Sequence, residues 1–254
     1  MLYPVGFLWV IGEILMQIDF IGPRYIEGNP QPLHFFSARY IRPFRMHIFF
    51  RITAQTTNEA LRCLYLMFFE LGYPLPDAIQ MDNDAAFRGY TKKGGTIGRI
   101  IKWICHNGSI PVFNAPNSPW NNGAVEGGNS VFDRKFWNRF RFNSVKDIDQ
   151  KLDAFNEEYR MYLRTECPVP KRPIPTPDPR KVLKKNLSFS QPFLFLLRVV
   201  RQGKIDVVGR SVRIPDQFKG QYVIVQIHMD NNWMKVWQET NTASHLIIYR
   251  AFNM

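Results

Sequence analysis

"QMDNDAAF", residues 80–87, ends an apolar run on two acids, Asp82 and Asp84, with an asparagine between them. The residues before it, "DAIQMD", read as a short strand closing on Asp82, and acid-asparagine pairs at strand ends are commonly turn chemistry. The chain around the pair makes it worth a second reading. It has 254 residues, a formal charge of +12 and a pI near 9.8. That balance points to a polyanionic partner, either nucleic acid or an acidic membrane surface. With 45% hydrophobic residues the chain can bury a substantial core, which excludes disorder over its whole length.

Upstream of Asp82, residues 7–21, 33–42 and 44–52 are aliphatic and aromatic with short polar breaks, as consecutive strands would be. Thr56 or Thr57 can cap a helix through "NEALRCLYLMFFELG", with Gly72 past its end and Pro74 beyond. Downstream come a loop, "FRGYTKKGG", a helix in "TIGRIIKWICHNG", a strand in "IPVF" and a polar loop, "NAPNSPWNNG". Helical patterns follow from Gly123 to Phe142 and from Ser144 to about Thr165. The tract "CPVPKRPIPTPDPRK" cannot be regular structure, because proline fixes φ and removes a donor every few residues. Beyond it, "GKIDVVGRSVRIP", "QYVIVQIHM", "NWMKVWQE" and "SHLIIYRAF" alternate like strands of a small all-β unit.

Cys63, Cys105 and Cys167 lack the spacing of a zinc finger or a disulfide framework, and a reducing compartment fits them. The opening "MLYPVGFLWVIGEILM" has no basic flank and carries Glu13, so it reads as the approach to a first strand, not as a signal or a membrane span. Its abrupt start suggests a missing upstream segment. From Thr165 to Gly220 there are twelve Lys and Arg against four Asp and Glu, which concentrates the excess charge on the linker and the start of the β unit.

Three acids fall at strand or helix positions where charge is costly or directed: Asp19 between Ile18 and Phe20, Asp82 at its strand end, and Glu126 in "NNGAVEGGN". An ionised acid inside an apolar strand needs a partner. Two Mg²⁺ or Mn²⁺ ions would serve, since hard cations take oxygen ligands and no Cys or His cluster competes. On the helix from Gly123, a periodicity of about 100° per residue buries Val125, Phe132, Phe136 and Phe140. The adjoining face then carries Glu126, Ser130, Asp133 and Trp137, with Asn129 between the two and Arg134 as the nearest cation to Glu126.

The ordering of acids, in strand one, at the end of strand four and on the helix after strand five, resembles the catalytic core of retroviral-type integrases and insertion-sequence transposases. "QIDFIGP" resembles that family's first block, "GYPLPDAIQMDNDAAF" its second and "NSPWNNGAVEGGN" its third, while "GKIDVVGRSVRIP" is similar to the SH3-like barrel that often follows such cores. The resemblance implies an α/β fold: a ribonuclease-H-like mixed five-stranded sheet with flanking helices over residues 9–165. It then implies a basic Pro-rich linker over 166–195 and a small all-β, SH3-like, DNA-binding barrel over 196–254. It assigns Asp19, Asp82 and Glu126 as catalytic ligands of two Mg²⁺ or Mn²⁺ ions, for DNA cleavage and strand transfer of a mobile element. Asn129, Arg134, Lys92, Lys93, Arg201, Lys204 and Arg213 are then the residues expected to meet DNA, with Arg198 and Arg210 beside them. The implied partners are DNA ends and target, bound by a homo-oligomer, with no membrane and a place at the bacterial nucleoid in the cytoplasm. Two other readings share these residues: a truncated transposase that only binds DNA, and a ribonuclease-H-like nuclease.

The sequence departs from the family at three places. Asp84 stands where a glycine is usual, and it is either a bystander held off by the turn or an acid adding charge near the metals. The interval from Asp82 to Glu126 is long, with the excess in "RGYTKKGG". Asp133 occupies a position where relatives carry a cation, and Arg134 is one residue away. The aromatic residues read as core, with Trp120 the one aromatic expected near DNA.

Overall fold

The computed structural model describes residues 12–89, 97–116, 123–163, 189–240 and 243–253. Three strands open the chain, β1 (Leu15–Ile26), β2 (Asn29–Arg42) and β3 (His47–Ile52), paired antiparallel in sequence order. β4 (Ala78–Met81) then lies parallel to β1, and β5 (Ile110–Phe113) parallel to β4. The resulting order β3-β2-β1-β4-β5 is a mixed five-stranded arrangement in which the first and fourth strands are neighbours.

The helices divide between the two faces. α1 (Thr57–Tyr65) starts at Thr56, whose side chain accepts from the Glu59 N–H, and continues as a π-helical turn over Leu66–Glu70. α2 (Ala85–Arg88) is a single turn, and α3 (Arg99–His106) buries Ile100, Ile101, Trp103, Ile104 and Cys105. Side chains of α1 and α3 pack with Met16, Ile18, Ile79 and Met81 in one apolar cluster. α4 (Gly123–Phe132) runs into a π-helical turn at Asp133–Trp137, and α5 (Val145–Tyr162) is capped by Ser144. Phe132 and Phe136 from the first and Ile148, Leu152 and Phe155 from the second pack against Phe35 and Phe49 in a second cluster. Val125, Phe132 and Phe136 are buried as the helical periodicity requires, and Phe140 is half-buried.

The sheet does not stop at five strands. β6 (Phe193–Val199) begins inside the tract read from sequence as linker and pairs parallel with β5 through Val112 and Phe195 and through Phe113 and Leu196. The boundary expected at residue 196 therefore falls within a strand. β9 (Tyr222–His228), β10 (Trp233–Glu239) and β11 (Ser244–Ala251) follow β6 antiparallel, giving a nine-stranded mixed sheet. β7 (Lys204–Val207) and β8 (Arg210–Arg213) form a separate hairpin. The apolar cluster beneath α1 and α3 continues into Leu194, Leu196, Val223 and Val225, so core and C-terminal strands share one interior.

Cys63 and Cys105 are buried free thiols, and burial pushes the Cys63 thiol up to about 12. Among the described residues no helix is long and apolar enough to cross a membrane. Lys92, Lys93, Trp120, Cys167 and most of the Pro-rich tract lie outside the described residues.

Candidate functional site

Strand register brings the first two acids together. Gln17 on β1 pairs with Gln80 on β4 in a parallel ladder, so Asp19 and Asp82, each two residues further on, leave the sheet side by side on the same face. Gln17 and Gln80 lock that alignment from inside: Gln17 Nε2 donates to Gln80 Oε1 at 2.9 Å, and Gln80 Nε2 to Asn114 Oδ1 at 2.5 Å. Gln17 also reaches the third element, because its Oε1 accepts from the Val125 N–H at 3.0 Å, near the start of α4. Arg39 on β2 donates to the Ala124 carbonyl at 2.5 Å, a second tether for the same helix end.

α4 then brings Glu126 and, one turn later, Asn129 over the acid pair. Asn129 Nδ2 donates to Asp19 Oδ2 at 2.9 Å, and the Phe20 N–H donates to Asp19 Oδ1 at 2.8 Å. The Asp84 N–H holds Asp82 Oδ1 at 2.9 Å. Phe87 of the quoted motif stacks on Phe20, centroids 4.6 Å apart and planes 3° from parallel, which fastens the two acid-bearing segments to each other.

The carboxylates act on one another. Burial, aided by Asp82 and Glu126 against the opposing hydrogen bonds from Phe20 and Asn129, pushes the Asp19 carboxyl up to about 7. Burial raises Asp82, opposed by the hydrogen bond from the Asp84 N–H and by Arg88 and aided by the Asp84 charge, and Glu126 is raised by partial desolvation and by Asp82. Three carboxylates, with Asp19 disfavoured by the charges of the other two, fit a hard divalent cation in the kind of donor they offer. Among the described residues, however, no three His, Cys, Asp or Glu side chains stand close enough together to grip an ion as they are. Glu126 is exposed, whereas Asp19 and Asp82 are half-buried.

The remaining residues singled out from sequence fall in different places. Asp84 caps α2, its Oδ1 accepting from the Ala86 N–H at 2.7 Å, so the turn does hold it off the acid pair while its charge still acts on Asp82. Asp133 is paired with Arg24 of β1 at 2.8 Å, and Arg134 is exposed, its Nε donating to the Ser130 carbonyl at 3.3 Å. Lys204 and Arg213 face each other across β7 and β8, and Arg201 bridges to Lys204 through two backbone hydrogen bonds of 2.9 Å. All three are exposed, and Lys204 and Arg213 line a recess of about 580 Å³ with Asp216. Arg198 and Arg210 do not join them. Arg198 is 2% exposed and donates to the Asp206, Leu197 and Asn114 carbonyls, while Arg210 lies over Phe252 and donates to the Asn253 carbonyl. Arg198 was expected on DNA because a strand-borne arginine looks the same in sequence whether it points out or in, whereas Arg210 is exposed.

Sequence reading missed Gln17, Gln80, Ser37, Arg39 and His47, all on the sheet face beneath α4. The available signal was period two: Gln17 and Asp19, and Ser37 and Arg39, are polar residues spaced to share a face within apolar strands.

No protein-family model matches the chain, and no curated protein does. Among solved structures, a chain from the cryo-EM structure of the simian T-cell lymphotropic virus intasome in complex with PP2A regulatory subunit B56 gamma is a distant structural neighbour. It matches with a TM-score of 0.44 and 14% identity over 94% of this chain and 77% of that chain. What fold and site define together is a mixed α/β protein with a large mixed sheet, a few helices and a C-terminal antiparallel strand region. It carries Asp19, whose carboxyl is raised by the nearby charges of Asp82 and of Glu126 on α4.

Proposed function

We propose that the chain is a metal-dependent polynucleotidyl transferase of the integrase and transposase class, built on a ribonuclease-H-like core, which cleaves and joins the DNA of a mobile element. The observation that carries this reading is that Asp19, Asp82 and Glu126, far apart in sequence, come near enough in space for the charges of Asp82 and Glu126 to raise Asp19 and for that of Asp82 to raise Glu126. A chain of this basicity has little use for such an acid cluster unless cations neutralise it beside a polyanion.

Asp19, Asp82 and Glu126 would hold two Mg²⁺ or Mn²⁺ ions, which when bound supply charge stabilisation at the scissile phosphate and activate water or a DNA 3′-hydroxyl for in-line displacement. The chain's own part is positioning. Phe20 and Asn129 fix the two oxygens of Asp19, and the Asp84 N–H orients Asp82. Glu126, exposed on α4, has the freedom to complete the set once a cation is present. In this arrangement Asn129 donates to Asp19. Arg201, Lys204 and Arg213 supply backbone phosphate contacts, with affinity that falls steeply with salt and little sequence readout.

The test is strand cleavage of plasmid and of element-end DNA with Mn²⁺ or Mg²⁺, comparing the chain with its Glu126→Gln variant. Metal-dependent cleavage that disappears in the variant is the expected result. Because no three ligands are drawn together in advance, a second reading is a DNA-binding protein without turnover. Salt-sensitive binding without cleavage in either protein would establish that one instead.

A further inference from the structure

Behind Asn129 a line of hydrogen bonds runs away from the acids into the sheet. Ser37 Oγ donates to Asn129 Oδ1 at 2.7 Å, and Ser37 Oγ lies 2.6 Å from His47 Nε2. Ser37 is 0% and His47 1% exposed. Asp19 pairs with Ser37 across β1 and β2, and β2 pairs in turn with β3, so the line crosses three strands under α4.

Each assignment in this line forces the next. With Asp19 ionised, its oxygen only accepts, so the Asn129 amide must turn its NH₂ towards Asp19 and its oxygen towards Ser37. Ser37 must therefore give its one proton to Asn129 and accept from His47, which places the histidine proton on Nε2. The other ring nitrogen, Nδ1, is then a bare acceptor, and it is buried with no hydrogen-bond partner among the described residues. Burial, and the neighbouring Arg39 guanidinium, hold His47 well below the ordinary histidine range, in keeping with a neutral ring. Around it lie Phe49, with ring centroids 4.2 Å apart, and Tyr159 of α5, at 6.0 Å.

His47 also sets how closely α4 approaches the sheet. A Cβ on Gly128 would come within 2.0 Å of the His47 ring, so only glycine lets the helix rest there. Gly128 lies between Glu126 and Asn129, and the resting point therefore fixes the height of both. A purely apolar residue at position 47 could fill the space without leaving a buried nitrogen unpaired, so the histidine is hard to account for by packing alone.

We propose that Ser37 and His47 are positioning residues of the acid site: a one-way relay of donors, His47 to Ser37 to Asn129 to Asp19, that orients the Asp19 carboxylate for its cation. The proposal rests on the functional reading above and adds two residues that touch neither cation nor DNA.

Ser37→Ala removes the relay without changing the space. His47→Gln keeps an N–H donor near the position of Nε2, and His47→Leu does not. In the full chain, Mn²⁺ binding followed by electron paramagnetic resonance, kcat and KM for DNA cleavage, and the melting temperature are to be measured together. The expected result is a loss of about 10- to 100-fold in Mn²⁺ affinity and in kcat for Ser37→Ala and His47→Leu, with KM for DNA unchanged. His47→Gln should recover most of both. A purely structural pair would lower the melting temperature and leave Mn²⁺ affinity and kcat of the folded fraction at wild-type values, which overturns the relay. Nitrogen NMR of wild-type His47 gives an activity-free check: a proton on Nε2 is expected, and a proton on Nδ1 at a pH where Asp19 is ionised overturns it. If wild type neither binds Mn²⁺ nor cleaves, the functional reading fails first, and the positioning role fails with it.

Discussion

On one face of β1, Met16 and Ile18 are fully buried in the cluster that includes side chains of α1 and α3. On the other, Gln17 and Asp19 look towards α4 across a stripe of amides, a serine, a histidine and carboxylates. The apolar face is complete in itself, since burial alone satisfies it. The polar face is connected but unfinished: its amides find one another, while the charges of Asp82 and Glu126 raise Asp19 and that of Asp82 raises Glu126. One strand thus separates stability from chemistry by alternate residues, and the unfinished side is where a cation and a polyanion are to be expected.

The largest effect comes from removing a charge on the polar face. Asp19→Asn or Asp82→Asn should lower metal-dependent cleavage by at least about 10³-fold, roughly 4 kcal/mol of transition-state stabilisation. DNA binding at low salt should stay within a few-fold. Either variant cleaving at the wild-type rate would remove that acid from the site. The matching change on the other face, Ile18→Ala, should cost about 2–5 kcal/mol of folding stability by opening a cavity. Chemical denaturation would read this loss, and cleavage by the remaining folded fraction should keep its metal dependence. If instead Ile18→Ala changed the Mn²⁺ requirement while stability held, the two faces would not be separate.

A pH titration sharpens the contrast. The Asp19 carboxyl ionises near 3.8 in the unfolded chain and near 7 in the folded one. Between those values the folded protein keeps a proton that the unfolded chain has released, so this contribution is complete below about pH 4 and is lost as pH rises through 7. In the absence of metal, stability should therefore fall by roughly 2–4 kcal/mol across that window. Asp82 and Glu126, also raised by burial, act in the same direction. Mg²⁺ or Mn²⁺ should restore the loss above pH 7, and Asp19→Asn should flatten the curve. Equal urea midpoints at pH 5 and pH 8 for wild type in a chelator would contradict the claim that Asp19 is short of a cation.

The difference between the faces also explains what could be read from sequence. β1 to β5 and the longer helices are legible because each has its own period or its own caps, such as Thr56 and Ser144, whereas the single turn α2 has too few residues to show a period. Asp19, Asp82 and Glu126 are legible because they break those patterns at strand or helix positions. β6 was lost because "PFLFLLRVV" is a continuous apolar run directly after a Pro-rich tract, with no alternation to mark it as a strand. Its pairing with β5 joins residues more than 80 positions apart, which no local pattern encodes. Ser37 and His47 fail for a related reason. Each is a single polar residue in an apolar strand, and its partner is chosen by register and by a helix that arrives some 90 residues after Ser37. Arg24 became the partner of Asp133 in the same way, a pairing between residues 109 positions apart that no local pattern marks.

The smallest effect concerns Asp84, which lies at the edge of the polar face and belongs only partly to it. Its side chain caps α2, and α2 carries Phe87 against Phe20, beside Asp19. Its backbone N–H holds Asp82, and its charge helps raise Asp82. Substitutions separate these roles. Asp84→Ala loses the cap and should cost about 0.5–2 kcal/mol, whereas Asp84→Asn keeps a capping oxygen and should cost little. Both remove the charge, so Asp82 should ionise more readily and the acid limb of the cleavage profile should move to lower pH, with the maximal rate within a few-fold of wild type. Asp84→Gly, which gives the residue usual in the resembling family, should shift the profile in the same way at a stability cost of a few tenths of a kcal/mol. If Asp84→Asn were instead as inactive as Asp82→Asn, Asp84 would be a fourth ligand, and its cap on α2 would have to open when the cation binds.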